Sequence, residues 1–509
     1  MSEKVVLKYD SLEEIRKINP SMVSYNIEMT EVTGGTFWRA YTEGQIEGTE
    51  AVPAPDFENG GLASMHQPFP PTDTTNPRMI KLARELGKCW VRVSGTWATR
   101  TYYDFDGIGY APEGYQNRLT KEQWINLVNF VKAVDGKLLV SFANCEGLHS
   151  ADEPWNPSEA EKLFNLSLEC GVPISAVEFT NEPNMLEHTG FPKGYTAMHY
   201  RRDQDLFHKW VRDNYPDCII VGPSSTDGSV LRDYERRERG EPEREEGNAG
   251  IADVLPTCTT RELLDGCSEP LDIFSYHYYG GISERMAAVM PEHYTPPTGA
   301  LSEEYLGMPG VMAKAYAPYR DKYTSSDELW VTESGDAGAG GHAWATTYLE
   351  VPRALNEFGI FAKNTNGVIF HNTLAASDYG YLERGTFLPR PQYFAVLLWN
   401  TLMGTTVYES GEPIREGAHV YAHSRKDGKD GVAYLVINNS WTETTTVTIP
   451  KTAEVYALSG NGKMRSRTML LGTTELALTE SGELPKFTPE TVPAGDLTLA
   501  PGSCTFIVM

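Results

Sequence analysis

The sequence predicts a (β/α)8 TIM barrel with a second, smaller antiparallel β-sandwich domain. Its 509 residues are more than one compact core usually holds, so two domains are expected. Eight short apolar runs alternate with segments long enough for crossover helices. Nearly every run turns polar at its C-terminal end, which is where barrels of this type carry their active sites.

Each of the eight runs is expected to supply one barrel strand. They cover residues 22–29, 89–95, 137–144, 176–182, 219–225, 273–279, 329–335 and 367–373. One polar strand end is weak support, because loops begin there and loops are polar. Seven polar ends on one rim favour the barrel over the alternative, a mixed α/β sheet whose strand ends are polar only because turns are.

The second domain is predicted from a change of texture after the last barrel helix. From residue 405 onward the chain alternates short strands with Asp-Gly turns, a pattern typical of an antiparallel sandwich. The extended stretch 4–9 precedes the first barrel strand and has no partner there. We therefore expect residues 21–404 to form the barrel, and residues 1–20 and 405–509 to form the sandwich together.

The composition argues against several classes of partner. With 44 basic and 69 acidic residues, a net charge of -25 and no basic block, a nucleic acid is not an expected partner. No apolar run approaches the roughly 18 residues of a membrane span. The first ten residues lack the basic start and apolar core of a signal peptide, so a cytoplasmic location is expected unless a leader was removed.

The sequence also indicates a site that needs no metal and no cofactor. The 11 histidines form no HExxH pattern, and none pairs with a cysteine at zinc-finger spacing. Neither a GxGxxG nor a Walker loop occurs. We therefore expect chemistry performed by side chains alone.

Glu182 and Glu333 are the candidate catalytic residues. They end the fourth and the seventh run, which places them on facing arcs of one rim. Cleavage of a glycosidic bond needs a proton for the departing oxygen and a nucleophile or base opposite, and two carboxylates supply both. A separation of about 5 to 5.5 Å lets the second acid attack directly, whereas about 6.5 to 9.5 Å requires a water. Either glutamate alone would more often be a solvated or capping residue, and the joint placement reverses that balance.

Three neighbouring polar residues fit a sugar site. The amide of Asn181 lies beside the first acid, where it can hydrogen-bond the 2-hydroxyl of a sugar. His277 and Tyr278 lie on the sixth run, next to the seventh, and a tyrosine hydroxyl there can keep a carboxylate ionised. The alternative for these two side chains is a satisfied place in the core.

With these residues in view, the chain resembles glycoside hydrolase family 79, the heparanase and β-glucuronidase group of retaining barrels. The resembling stretches are "RVSGTWATRTYYD" (92–104), "GKLLVSFANCEGLHSADEPWN" (136–156), "AVEFTNEPN" (176–184), "SYHYYGG" (275–281) and "WVTESGDAGAGG" (330–341). "NEPN" alone indicates only the wider clan, whereas this ordered set with its Gly-rich loop is more specific.

The resemblance implies a retaining β-glycosidase with Glu182 as acid/base and Glu333 as nucleophile. Its usual substrates carry a β-linked uronic acid. Carried over position by position, the sugar subsite would be lined by Glu28, Thr96, Asn181 and Tyr278.

The chain departs from the family where the uronate carboxylate would bind. The loop tyrosine that the family offers to this carboxylate falls at Gly338 here. Gly340, Gly341 and Tyr379 remain as possible donors, and His371 stands where relatives carry Gln. Glycines in this loop permit several backbone N–H groups to turn toward one anion.

Three functional hypotheses follow. The leading one is an exo-acting β-glucuronidase that forms a covalent glycosyl-enzyme intermediate on a glucuronide or a uronic-acid-containing glycan. The second is a clan relative that cleaves neutral glucosides or xylosides, which Asp336 would favour if it pointed inward and repelled a carboxylate. The third, a non-catalytic carbohydrate-binding barrel, is disfavoured because both acids are present.

Overall fold

A computed structural model describes residues 4–241 and 257–509 of the chain. Within these residues, strands β1 to β24 are, in order, Val5–Val6, Glu14–Lys17, Val23–Glu28, Gly35–Trp38, His66–Phe69, Trp90–Ser94, Thr101–Asp104, Asn117–Thr120, Lys137–Val140, Ile174–Val177, Ile219–Ser225, Ile273–Tyr279, Leu329–Gly335, Ile369–His371, Met403–Tyr408, His419–Arg425, Val432–Ile437, Thr445–Ile449, Ala453–Ser459, Leu470–Leu471, Thr474–Glu475, Glu490–Val492, Gly495–Leu499 and Cys504–Val508. Helices α1 to α11 of the same residues are Met29–Thr33, Glu43–Glu47, Pro77–Glu85, Lys121–Ala133, Ser158–Glu169, Ala197–Asn214, Gly228–Glu238, Thr260–Leu264, Glu303–Tyr323, Glu350–Asn364 and Pro391–Leu402.

The eight predicted barrel strands close into one parallel barrel. Their order is β3, β6, β9, β10, β11, β12, β13 and β14, and β14 pairs with β3 to complete the ring. All eight neighbouring pairs are parallel. The predicted fold class, a TIM barrel with an additional β domain, is confirmed.

The fourth barrel strand is shorter than the sequence predicts. Strand β10 ends at Val177, so Glu182 lies beyond it. The wall continues irregularly, and the backbone N–H of Glu182 donates to the carbonyl of Ser224 at 3.1 Å on the next strand. Glu182 itself adopts a left-handed backbone conformation with φ 44° and ψ 52°, which a regular strand does not accommodate.

The interior of the barrel consists of an apolar plug below a polar layer. Trp90 and Trp330 meet edge to face at 5.0 Å inside a buried apolar cluster formed by barrel strands. Side chains two positions apart on a strand point to the same side. Arg92, two residues after Trp90, is therefore directed inward above the plug, where it is fully buried. The polar layer is the floor of the site.

The chain ends build two further sheets. One has the order β2-β15-β16-β17-β24-β19-β20-β21, with β22 also paired to β19, and the other has the order β1-β18-β23. All these pairs are antiparallel except β1 with β18. Val5 and Val6 thus pair with Val447 and Thr448 of β18 and not with a barrel strand. The proposed division at residues 20 and 404 assigns β1 and β2 to this unit, together with all but the start of β15.

Among the described residues, no helix is both long enough and apolar enough to cross a bilayer.

Candidate active site

The two candidate acids lie close together at the mouth of the barrel. One carboxylate oxygen of Glu182, one of Glu333 and Nδ1 of His277 all lie within 4.8 Å of one another. The side chain of Glu333 is 7% exposed, and that of Glu182 is 18% exposed. Two glutamates this close match the short carboxylate separation of retaining glycosidases, since inverting enzymes need about 6.5 to 9.5 Å to admit a water.

His277 connects the two acids. Its Nε2 lies 3.3 Å from Nη2 of Arg92, and a guanidinium only donates hydrogen bonds. Nε2 must therefore accept, which assigns the ring proton to Nδ1. That Nδ1–H donates to Oε1 of Glu182 at 3.0 Å, and Oε2 of Glu333 is 3.5 Å away.

Arg92 organises the polar layer and was not singled out from the sequence. Its Nη1 donates to Oε1 of Glu333 at 3.0 Å, and its Nη2 donates to Glu178 at 2.6 Å and to Oδ1 of Asn181 at 2.7 Å. The signal in the sequence is a single arginine inside the otherwise apolar strand "CWVRVSG". A charge inside a buried strand requires partners, because an unpaired buried charge is strongly destabilising.

Glu333 is held in its ionised form by its neighbours. Burial by itself would raise the pKa of Glu333, but His277, the charge of Arg92 and the hydroxyl of Tyr279 together lower this pKa below its ordinary value. Tyr279 donates its hydroxyl hydrogen to Oε2 of Glu333 at 2.8 Å. The site therefore presents one carboxylate that is ready to act as a base or nucleophile.

The tyrosine beside Glu333 is Tyr279, and the prediction of Tyr278 is wrong by one residue. Tyr278 is buried in the apolar core, where the charged groups near it are Glu357 and Arg353 of α10. Successive side chains of β12 point to opposite faces, so His277 and Tyr279 face the mouth and Tyr278 faces the helices. The sequence pattern "HYY" contains both tyrosines and does not distinguish them.

Asn181 is placed to bind a sugar hydroxyl. Its side-chain oxygen is occupied by Arg92, which fixes the orientation of the amide. Its amide nitrogen has no hydrogen-bond partner in the part of the chain that the structure describes. The free N–H groups are therefore available at the side of Glu182.

Glu28 lies at the same mouth as a second buried carboxylate. Burial and the charge of Glu333 raise its pKa well above the ordinary value, against the opposing charge of Arg92. Its Oε2 has no partner among the described residues. Gly95 has a φ of +91°, and a side chain there would lie 1.6 Å from this oxygen, so glycine is required. Thr96 follows Gly95 and is half-buried. In the part of the chain that the structure describes, no hydrogen bond links its side chain to Glu182 or Glu333.

The glycine-rich loop after Glu333 has its carbonyl groups turned toward buried donors. The carbonyl of Ala339 accepts from the Ser283 hydroxyl at 2.8 Å and from Nη1 of Arg285 at 3.3 Å. The carbonyl of Gly340 accepts from the Ser377 hydroxyl at 3.1 Å. The backbone φ angles of residues 339, 340 and 341 are +60°, +86° and +79°, a left-handed run that glycine permits most readily.

Two backbone N–H groups of this loop are free. The N–H of Gly340 shares a peptide plane with the carbonyl of Ala339, and the N–H of Gly341 shares one with the carbonyl of Gly340. In a planar trans peptide the two groups point in opposite directions, so both N–H groups point away from Ser283 and Ser377. Neither has an acceptor among the described residues. Adjacent backbone N–H groups without acceptors are the kind of donor that can bind an anion.

Tyr379 completes this side of the mouth. Its hydroxyl accepts from the side-chain nitrogen of Asn372 at 3.2 Å, which leaves its own hydrogen free to donate. A side chain at Gly341 would lie 2.6 Å from the Tyr379 ring, so the loop and the ring are in close contact. Asn372 also donates to the Tyr279 hydroxyl at 3.0 Å and thereby links the loop side to the acid side.

Two predicted site residues have other partners. His371 donates from Nε2 to the carbonyl of Tyr379 at 2.5 Å and stacks on Tyr381, and burial lowers the pKa of its imidazole to about 3. It therefore supports Tyr379 from behind and offers no donor to a substrate. Asp336 is buried and accepts the N–H of His342 at 2.6 Å, so its side chain closes the loop.

The group Glu182, His277 and Glu333 is also a possible donor set for a cation. Arg92 already contributes a positive charge within hydrogen-bond distance of Glu333, and a second cation beside it would be repelled. His277 uses Nδ1 as a donor to Glu182, which leaves no lone pair there for a metal. These contacts fit an acid pair better than a metal site.

Comparison of the amino-acid sequence with those of known proteins identifies relatives of this chain. No family model matches the chain. It is similar to heparanase-like protein 1 of Arabidopsis thaliana, with 23% identity over 497 residues, 86% of this chain and 84% of the relative. It is similar to a hyaluronoglucuronidase of Hirudo nipponia, with 25% identity over 86% of this chain and 90% of the relative. These relatives and others at 23–28% identity are heparanase-like proteins and glucuronidases, which supports the resemblance to glycoside hydrolase family 79.

The fold of this protein is shared with solved glycosidases. It is similar to a 4-O-α-L-rhamnosyl-β-D-glucuronidase from Fusarium oxysporum, with a TM-score of 0.60 and 12% identity over 99% of this chain and 100% of that one. At that identity the likeness concerns the fold alone. The sequence relatives make the protein a glycoside hydrolase with a carbohydrate substrate.

Proposed function

We propose that this protein is an exo-acting, retaining β-glucuronidase of glycoside hydrolase family 79, with Glu333 as nucleophile and Glu182 as acid/base. Glu333 attacks the anomeric carbon while the departing oxygen takes a proton from Glu182, which leaves a covalent glycosyl-enzyme intermediate. Glu182, now a base, removes a proton from water, the water oxygen bonds to the anomeric carbon, and Glu333 is released. The β configuration is retained.

The environments of the two acids support this division of roles. Glu333 is deep, has a lowered pKa and accepts hydrogen bonds from Arg92 and Tyr279, as suits a carboxylate that must be ionised before it attacks. Glu182 is the more exposed of the two, which suits a group that meets first a leaving group and then a water. His277 donates to Glu182 and so fixes the orientation of its carboxylate.

The glycine-rich loop carries the assignment of a uronic acid. The free N–H groups of Gly340 and Gly341 and the free hydroxyl hydrogen of Tyr379 give three donors on one side of the mouth. Hydrogen bonds to a charged group contribute about 1.5 to 3 kcal/mol each. Two or three of them would favour a carboxylate at C6 over the hydroxymethyl group of a neutral sugar by orders of magnitude.

The neutral-sugar alternative loses its main support in the same loop. Asp336, which would repel a uronate if it faced the mouth, accepts an N–H within the loop. The charges that act on it come from His342 and from Arg353 on α10. Its carboxylate thus has a partner within the loop.

The test compares nitrophenyl β-glucuronide with nitrophenyl β-glucoside by kcat/KM, followed by the two glutamine variants. We expect the glucuronide to be preferred by at least tenfold, Glu333→Gln to abolish turnover, and Glu182→Gln to spare the nitrophenyl substrate while losing alkyl glucuronides. The asymmetry follows because a nitrophenolate hardly needs the proton of Glu182. A preferred glucoside would refute the uronate assignment, and anomeric inversion in an NMR time course would refute the roles of the acids. Exo action predicts release of glucuronic acid, and no internal fragments, from an oligosaccharide.

A further inference from the structure

Arg285 is a buried cation on the far side of the glycine-rich loop from the free N–H groups. It is 3% exposed, and its Nη1 donates to the carbonyls of Ala339 at 3.3 Å and of Gly341 at 2.9 Å. Its Nη2 donates to the backbone carbonyl of Arg39 at 2.6 Å and to the carboxylate of Asp378 at 2.7 Å. One side chain therefore joins the loops that follow the first, sixth, seventh and eighth barrel strands.

We propose that Arg285 is a positioning residue that sets the preference for a uronic acid without touching it. It anchors the carbonyl of Ala339, and the N–H on the opposite side of that peptide is the free donor of Gly340. It also anchors Asp378, the residue next to Tyr379. Arg285 thus fixes two of the three donors that would meet the carboxylate. This inference rests on the proposed glucuronidase function.

The effect of Arg285 is exerted through hydrogen-bond geometry and not through its charge. The charge is paired with Asp378, whose side chain is 6% exposed, so the pair is close to neutral as seen from the substrate side. What the guanidinium supplies is a rigid planar fork whose two ends bind acceptors on different loops. The guanidinium of Arg285 also lies over the Tyr41 ring, with its Cζ 3.7 Å from the ring centroid, and this contact further restricts its orientation.

Rigid placement matters for these donors because the loop has an intrinsic cost. Ala339 adopts a positive φ, which is unfavourable for a residue with a side chain. Without the bonds to its carbonyl, this residue can relax to an ordinary conformation, and the peptide that carries the N–H of Gly340 rotates with it. Donors that must reorganise before they bind lose much of their advantage over water.

Arg285→Lys separates the two explanations, since lysine keeps the charge and loses the planar fork. We expect the ratio of kcat/KM for nitrophenyl β-glucuronide to that for the β-glucoside to fall by about 10- to 150-fold, the equivalent of one hydrogen bond to a charged group. Activity on the glucoside changes little, because this substrate does not use the loop donors. An unchanged ratio, or an equal loss on both substrates, would overturn the proposal.

The matched control is Arg212→Lys. Arg212 also binds a backbone carbonyl, that of Cys218 at 3.0 Å, and a carboxylate, that of Asp272 at 2.6 Å, but it lies on α6 away from the loop. We expect it to lower the unfolding temperature and to leave the substrate ratio unchanged. A fall in the ratio for this variant would mean that the ratio reports general destabilisation, and the proposal would fail.

Ser377→Ala gives a second measurement with little risk to folding. It removes only the hydroxyl that donates to the carbonyl of Gly340, and with it the anchor of the peptide that carries the N–H of Gly341. We expect a smaller fall in the same ratio. An unchanged ratio in this folded variant would overturn the proposal that the carbonyl contacts of the loop position its N–H donors. A wild-type enzyme that prefers the glucoside would instead refute the proposed function, and with it the positioning role of Arg285.

Discussion

Replacement of Tyr279 by Phe removes the hydrogen bond to the proposed nucleophile, together with the bond that the Tyr279 hydroxyl accepts from Asn372. The Tyr279 hydroxyl donates to Oε2 of Glu333 at 2.8 Å and is one of the groups that lower the pKa of Glu333. Its loss moves that pKa upward, toward the value that burial favours. Because only the ionised carboxylate attacks, the acidic limb of the pH profile of kcat/KM moves to higher pH.

The size of the effect follows from the strength of this bond. A hydrogen bond to a charged group contributes about 1.5 to 3 kcal/mol, and each 1.36 kcal/mol is a factor of ten. At a pH below the acidic limb, kcat/KM of Tyr279→Phe is therefore expected to be roughly 10- to 150-fold lower than that of the wild type. On the plateau at higher pH, Glu333 is ionised in both proteins, and the difference is much smaller.

The assay is kcat/KM for nitrophenyl β-glucuronide across the acidic range, with Tyr278→Phe as the matched control. Tyr278 is the adjacent tyrosine of β12 and faces the core, so its loss is expected to leave the position of the limb unchanged. Coinciding acidic limbs for wild type and Tyr279→Phe would refute the role of this bond. A shift produced by Tyr278→Phe instead would refute the strand register from which the site is built.

Two other measurements probe the loop and the buried charges. In Gly340→Ala the new side chain would lie 2.6 Å from Trp38 and 3.0 Å from Arg285, so the loop must move. Glucuronide activity should therefore fall about tenfold or more while glucoside activity persists. Equal losses on the two substrates would contradict this prediction. Burial raises the pKa of Glu31 to about 7 and that of Glu350 to about 8, so the stability they provide is complete at acidic pH and is lost as the pH rises through these values. The unfolding temperature should therefore fall as the pH rises from about 4.5, the ordinary pKa of these groups, to about 8, and less steeply in Glu350→Gln; a flat profile over this range would contradict the raised pKa values.

The sequence by itself determined the barrel and the choice of Glu182 and Glu333 as the candidate acids. Eight apolar runs with crossover-length spacers allow few other closed arrangements, because parallel strands need long connections and must be covered on both faces. Glu182 and Glu333 lie at the ends of the fourth and seventh runs, and their places on the rim then follow from the order of the strands. Their closeness also follows, since the C-terminal ends of barrel strands meet at one rim.

Only the tertiary structure decided which neighbours serve the acids. Tyr278 and Tyr279 are adjacent, as are His371 and Asn372, and in each pair the second residue faces the mouth. A side-chain alternation of two residues gives opposite answers when the register changes by one. The pairing of β12 with β13 does shift by one residue here, because Tyr276 pairs with Val331 and His277 with Glu333. Local sequence carries no record of that register.

The polar layer around Arg92 and the contacts of Arg285 depend on parts of the chain that are distant in sequence. Arg92 meets Glu178 and Glu333 only once strands β6, β10 and β13 have closed into one barrel. Arg285 likewise reaches carbonyls and a carboxylate on loops that are far apart in sequence. Residue types and spacings therefore specify which groups can bind a sugar, whereas closure of the barrel specifies where their free donors point.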